Sequence, residues 1–223
     1  MKHFDFHSSR REFLGTLAAT TGVLAATGVA EASPVLADSN VADAENWMKK
    51  IKGKRRIIFD APEPHDGFPV IWSWAFYKTN NQTGSADADI TAMVVLRHNA
   101  IPLAMEDRLW EKYKFGEAFK ITDKNTGAPA LRNVFYEPKG KDFPLPGIDG
   151  IKALQARGAL FCVCDLALTV YSGFIAQAAG LNPEEVKKDW VSGLLPGVQA
   201  VPSGVWAVGR AQEKDCAYCY AGG

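Results

Sequence analysis

Three common nucleotide and hydrolase signatures are missing from this sequence. No G-x-G-x-x-G follows the first strand-like run, and no glycine-rich loop ends in Gly-Lys-Ser/Thr, which argues against dinucleotides and nucleoside triphosphates. No G-x-S-x-G elbow is present, which argues against a serine hydrolase. Cysteine is scarce, with four in 223 residues. That is too few for a disulfide scaffold, so the fold must stand on its core. Net charge is also missing: 25 basic residues balance 25 acidic ones. No global field draws the chain to nucleic acid or anionic lipid, and no basic stripe is interleaved with aromatics. No apolar run is long enough for a clear permanent membrane span.

What is present begins with a leader. Ser9-Arg10-Arg11-Glu12-Phe13-Leu14 is a twin-arginine signature. A mildly apolar Ala/Thr/Gly-rich segment runs from Leu17 to Val29, and Ala30-Glu31-Ala32 offers an A-x-A cleavage site before Ser33. Residues 1–32 resemble a twin-arginine (Tat) signal peptide, which implies export of a folded chain to the periplasm. No stable membrane span is expected after cleavage.

Residues 33–54 form a neck with a short amphipathic helix over Val41 to Ile51, and a single α/β domain follows over 55–223. Strand-like runs occur at Arg56–Ala61, Ile90–Leu96, the stretch to Cys164, Gly197–Val201 and Cys216–Tyr220. Helix-like stretches lie between them. The clearest helix start is Asn182-Pro183-Glu184-Glu185: an N-cap, proline at the first position and acids in the first turn. Ser203 is a second N-cap candidate, and Gly158 sits where a helix C-cap belongs. Strand alternating with helix predicts a five-stranded, mostly parallel sheet with helices on both faces. Residues 114–146 break the pattern with turn chemistry and read as an insertion or lid. Nothing in that segment announces chemistry.

In an open α/β sheet, chemistry sits at the carboxyl ends of the strands. The strand Gly158-Ala159-Leu160-Phe161-Cys162-Val163-Cys164 ends on a thiol and runs straight into a helix at about Leu166. Helix N-terminal N–H groups favour a thiolate there; Asp165 opposes it or caps the helix. Cys162 and Cys164 are two apart on a strand and so point to one face, with Cys162 read as core. Cys216 and Cys219 fall on opposite faces, which argues against a thioredoxin-type pair. A zinc site needs two matched pairs, which this chain lacks, and no metal or cofactor is expected. Outside the leader the histidines are His65 and His98. Each follows a strand, and His98 is the better partner for Cys164 in a thiol–imidazole arrangement. Arg97 and Ser203 lie at comparable strand ends.

The strand ending at His98, the Gly158–Cys164 stretch, Val198-Gln199-Ala200-Val201-Pro202-Ser203-Gly204-Val205 and Arg210-Ala211-Gln212-Glu213-Lys214-Asp215-Cys216-Ala217-Tyr218 together resemble the DsrE/DsrF-like family. The resemblance implies a flavodoxin-like (DsrE/YchN-like) α/β domain and a homo-oligomer. It also implies a cysteine, falling on Cys164, that carries persulfide sulfur between a donor and an acceptor protein. The chain departs from the family pattern at Asp165 and Asp215, where glycines are usual, and at 114–146. Two functions are therefore weighed: a sulfur relay using Cys164 with His98, and a non-catalytic ligand-binding or assembly module of the same fold.

Overall fold

The computed structural model describes residues 38–223. The leader expected over residues 1–32 and the first part of the neck lie outside the described residues.

The chain begins with helix α1 (Asp38–Met48) and alternates thereafter. The order is β1 (Arg55–Ala61), α2 (Phe68–Gln82), β2 (Ile90–Leu96), α3 (Asp107–Tyr113), α4 (Phe115–Ala118), α5 (Ile151–Arg157), β3 (Leu160–Cys164), α6 (Asp165–Ala179), α7 (Pro183–Ser192), β4 (Val198–Val201), α8 (Gly204–Gln212) and β5 (Ala217–Tyr220). Short 3₁₀ turns follow β1 at His65–Gly67 and β2 at His98–Ala104. All five strands are parallel, in the order β4-β3-β2-β1-β5.

That order explains the layers. From β1 to β4 the chain steps one way across the sheet, so right-handed crossovers put their helices on one face. The step from β4 back to β5 runs the other way, so α8 lands on the opposite face. The core divides accordingly. On the first face Phe59, Val94, Leu96, Phe161 and Val163 pack against α2, α5, α6 and α7. On the second, Ile58, Met93, Val95 and Cys162 pack against Ala44, Trp47 and Met48 of α1 and Ala207 and Ala211 of α8. Strand β2 is buried along its whole length, as a central strand covered on both faces must be. The result is the expected flavodoxin-like α/β domain with an open sheet. The direction of winding reverses between β1 and β5, which is where such sheets form a crevice.

The expected caps are in place. Asn182 accepts from the N–H groups of Glu184 and Glu185, Ser203 accepts from Trp206, and Gly158 closes α5 at φ +108. Residues 114–146 carry almost no regular structure, yet they are firmly tied down. The Asp142 carboxylate is buried and accepts from the Arg132 guanidinium at 2.8 Å, Asn125 Nδ2 at 2.7 Å and the Lys139 amide at 2.7 Å. Buried Asn133 donates to the carbonyls of Leu103 and Met105 at 2.9 Å each.

Candidate functional site

The carboxyl ends of the strands bring together a thiol, an ion pair and an imidazole–phenol pair. Cys164 closes β3 and is itself the N-cap of α6 (φ −72, ψ 110). Its Sγ accepts from the Ala167 amide at 3.3 Å. The amides of Gly204 and Leu166 also bear on the sulfur, so the first turns of α6 and α8 converge on one atom. Asp165, weighed as the alternative cap, is the first residue of the helix, and its carboxylate takes Lys187 Nζ at 2.9 Å. The thiol is buried at 6% exposure. Burial pushes its pKa up from the ordinary 9.0, the three amides pull it down, and burial wins. At neutral pH the resting sulfur is a protonated thiol seated among donors suited to an anion.

The expectation that Cys162 and Cys164 share a face is corrected. Cys162 is fully buried in the second-face core, whereas Cys164 packs with the first-face core. Strand alternation ends where the backbone turns into the cap, and the last side chain swings away. Cys216 packs on the second face and Cys219 against the first, so those two do diverge as expected. All four cysteines are free thiols.

Beside the thiol lies Arg97, one step past the Leu96–Val163 pairing. Its guanidinium is bidentate on Asp60, with Nε to Oδ1 at 2.6 Å and Nη2 to Oδ2 at 3.0 Å. Tyr218 Oη donates to the same carboxylate at 2.9 Å. Asp60 is 5% exposed, and Arg97 is the cation that meets its carboxylate there. Arg97 in turn lies close enough to Cys164 to feel its charge. Gly204 makes this approach sterically feasible: a Cβ there would stand 2.6 Å from Arg97 Cδ.

His98 and Cys164 occupy neighbouring strand ends but are connected through a third residue. His98 Nδ1 is hydrogen-bonded to Tyr171 Oη, and the two rings pack edge-on at 5.5 Å. Tyr171, from α6, is the residue that senses the thiol. Burial first, then the charges of Glu63 and Cys164, raise its phenol. Burial lowers His98, against a smaller opposing effect of Glu63, so its imidazole is neutral at pH 7. Its backbone is left-handed (φ +53), as are those of His65 (φ +40), Asp66 (φ +52) and Lys120 (φ +55). Non-glycine residues in this region are held there by their surroundings, and such positions cluster at functional sites. Ser203 serves as a cap for α8.

A cleft of about 320 Å³ opens over the ends of β1, β2 and β5. One wall is the loop after β1, with Glu63 and His65, joined by Asn99. The other comes from the irregular segment, with Phe119, Lys120, Lys124 and Phe135. Cleft and thiol are one layer apart, because Phe119 packs on the Tyr171 ring at 5.6 Å. Among the described residues no cluster of side chains could hold a metal ion, and no helix is long and apolar enough to cross a membrane.

Sequence reasoning did not pick out Asp60, Tyr171, Glu63 or Tyr218. Asp60 had a signal: a lone carboxylate inside the apolar run Ile57-Ile58-Phe59-Asp60-Ala61 has to find a cation. Tyr171 had none, being one aromatic among many on an apolar helix.

No family model matches the chain, and no curated protein is similar to it in sequence. Among solved structures it is similar to a protein of unknown function from Methanobacterium thermoautotrophicum. The two are 17% identical, with a TM-score of 0.39, over 74% of this chain and 98% of that one.

Proposed function

We propose that the protein is an exported, DsrE/DsrF-like sulfur carrier that accepts persulfide sulfur on Cys164 and passes it to a partner. The observation that carries this reading is the seat of Sγ, where the amides of Ala167, Gly204 and Leu166 converge beside Arg97. Such a seat favours a sulfur anion, and burial protects the thiol at rest. An oligomer and a periplasmic location belong to the same proposal, resting on the family resemblance and the leader.

The transfer is an exchange at sulfur. The Cys164 thiolate attacks the outer sulfur of a donor persulfide, R–S–SH. The donor's S–S bond breaks as the new bond to Sγ forms. The donor leaves as R–SH, taking up the proton that Cys164 gives up, and Cys164 becomes Cys–S–SH. Nothing is oxidised or reduced overall. Neutral His98, bonded to Tyr171 Oη, supplies a station for that proton one residue removed from the thiol. Leu166 and Val205 are exposed, at 48% and 68%, and flank the amides that meet the sulfur; an apolar rim of this kind suits a protein donor.

The test is intact mass after incubating reduced mature protein with a low-molecular-weight persulfide. The expected result is a gain of one sulfur that dithiothreitol removes and that Cys164→Ser lacks. Absence of the adduct on the wild-type protein, or its persistence in Cys164→Ser, rejects the assignment. A second reading, a ligand-binding module, is favoured by the cleft one layer from the thiol.

A further inference from the structure

We infer that the cleft over β1, β2 and β5 is a binding site for a small primary ammonium compound, with Glu63 as its counter-ion. Three observations lead there. The first is the balance of charge along the walls. Lys124 is met by Asp66 at 3.3 Å. Asp142 is met by Arg132. Lys120 is not free either. Glu63 has no cation against it among the described residues, although it is only partly exposed. Its partner is a neutral amide, Asn99 Nδ2, which donates to both carboxylate oxygens at 3.0 and 2.9 Å. A part-buried carboxylate with only a neutral donor favours a mobile cation.

The second observation is that the position of Glu63 is built. A carboxylate can only accept, so the Asn99 amide must turn its N–H group toward Glu63. That leaves Asn99 Oδ1 buried without a partner among the described residues, and His65 Nδ1 in the same wall is in the same condition. Native structures rarely leave such atoms unsatisfied without a functional or structural reason. The left-handed backbones of His65 and Asp66, immediately after Glu63, bend the loop that presents it. Strain and unmet hydrogen bonds are therefore concentrated around one carboxylate.

The third observation is shape. At about 320 Å³ the cleft is at the small end of ligand sites. Phe119, Ile121, Val134 and Phe135 give it an apolar side, which suits a short hydrocarbon body and offers ring faces to a cation. Among the described residues no group of three His, Cys, Asp or Glu side chains gathers here to hold a divalent metal. An ammonium, with three N–H donors and a short apolar tail, complements what the walls present.

The test uses the full chain and three probes of one shape: butylammonium, 1-butanol and butyrate, titrated into the protein and followed by amide NMR shifts. The expected result is saturable movement of the Glu63, Asn99 and Phe119 resonances with butylammonium alone. Glu63→Gln, which keeps an acceptor for Asn99, should weaken binding by roughly tenfold or more, the value of one charge-assisted contact. Cys164→Ser should bind as the wild type does, so this result stands or falls apart from sulfur transfer. Equal binding of 1-butanol would make the cleft merely apolar and overturn the assignment. So would tighter binding of butyrate, unchanged binding in Glu63→Gln, or no saturable shift with millimolar butylammonium.

Discussion

At the scale of single residues, the strand ends rest on one buried ion pair and one buried thiol. Asp60 sits in the sheet interior with Arg97 clamped on its carboxylate. Replacing Arg97 by Met strands that carboxylate, and breaking a buried pair by removing one partner is strongly destabilising. Arg97 is itself a quarter exposed (26%), so the expected loss is about 2–3 kcal/mol, at or below the low end of that class. Urea unfolding of Arg97→Met should show it, and Asp60→Asn in the same chain should restore part of it. If the double variant is no better than Arg97→Met alone, the stranded charge is not the cause. Cys164 is a different case, a thiol that burial holds still further from ionising. Its pKa is raised above 9.0, chiefly by burial. Alkylation by iodoacetamide should therefore be slow at pH 7 and climb only beyond pH 9. In Gly204→Ala, where the new Cβ displaces Arg97 and shifts a donor amide, the profile should move further up. A wild-type profile with a midpoint near neutrality would mean that the amides outweigh burial after all.

At the scale of elements, the joint between α3 and α7 shows what held the eye in the sequence and what escaped it. Both helices were legible from apolar spacing and, for α7, from the Asn182 cap. Their connection was not, because it runs through one carboxylate. Asp189 on α7 accepts from Arg108, Lys112 and Tyr113 of α3. Burial alone would raise its pKa; the bonds from Lys112, Arg108 and Tyr113 outweigh that and hold it far below the usual carboxylate range. A depressed carboxyl adds stability that is complete above its unfolded pKa and is lost as pH falls through the folded value. Between neutral pH and pH 5 the joint is therefore intact, and acid must open it. Asp189→Asn should cost about 1–2 kcal/mol at pH 7, most of it at low salt. The difference from wild type should shrink toward zero in thermal melts taken at progressively more acid pH. A deficit that stayed constant with pH would point to lost packing instead. What fastens the irregular segment escaped the eye for the same physical reason. Residues 114–146 are ordered around Asp142 and Asn133, whose partners are scattered over the sequence. Hydrophobic periodicity reports helices and strands, and buried polar hubs leave no period to read.

At the scale of the whole molecule, the fold class was legible because alternation of strand and helix is a statement about sheet winding. Strand order was not, since the turn signals look alike whether β5 joins β4 or crosses back to β1. That single choice fixes where the crevice lies and which helices share a face. It also leaves the two faces unequal. The first is covered by α2 to α7 and the irregular segment; among the described residues the second has only α1 and α8. Trp47 of α1, at 5% exposure, is the largest buried side chain in the second core, which it shares with Met48, Met93, Val95 and Cys162, and α1 lies against β4. Truncating a buried tryptophan costs about 3–5 kcal/mol when the site cannot collapse. Helix α1 is a terminal element of the described chain, tied to the sheet by this packing, so it can lift away instead of leaving a sealed cavity. Trp47→Ala should then lose about 3 kcal/mol, near the bottom of that range. The fully buried Cys162 thiol, silent toward a maleimide in the folded wild type, should become reactive while the far-UV spectrum changes little. A Cys162 that stayed silent, with stability down by the same amount, would show that α1 remains docked over a cavity and that the second face is as rigid as the first.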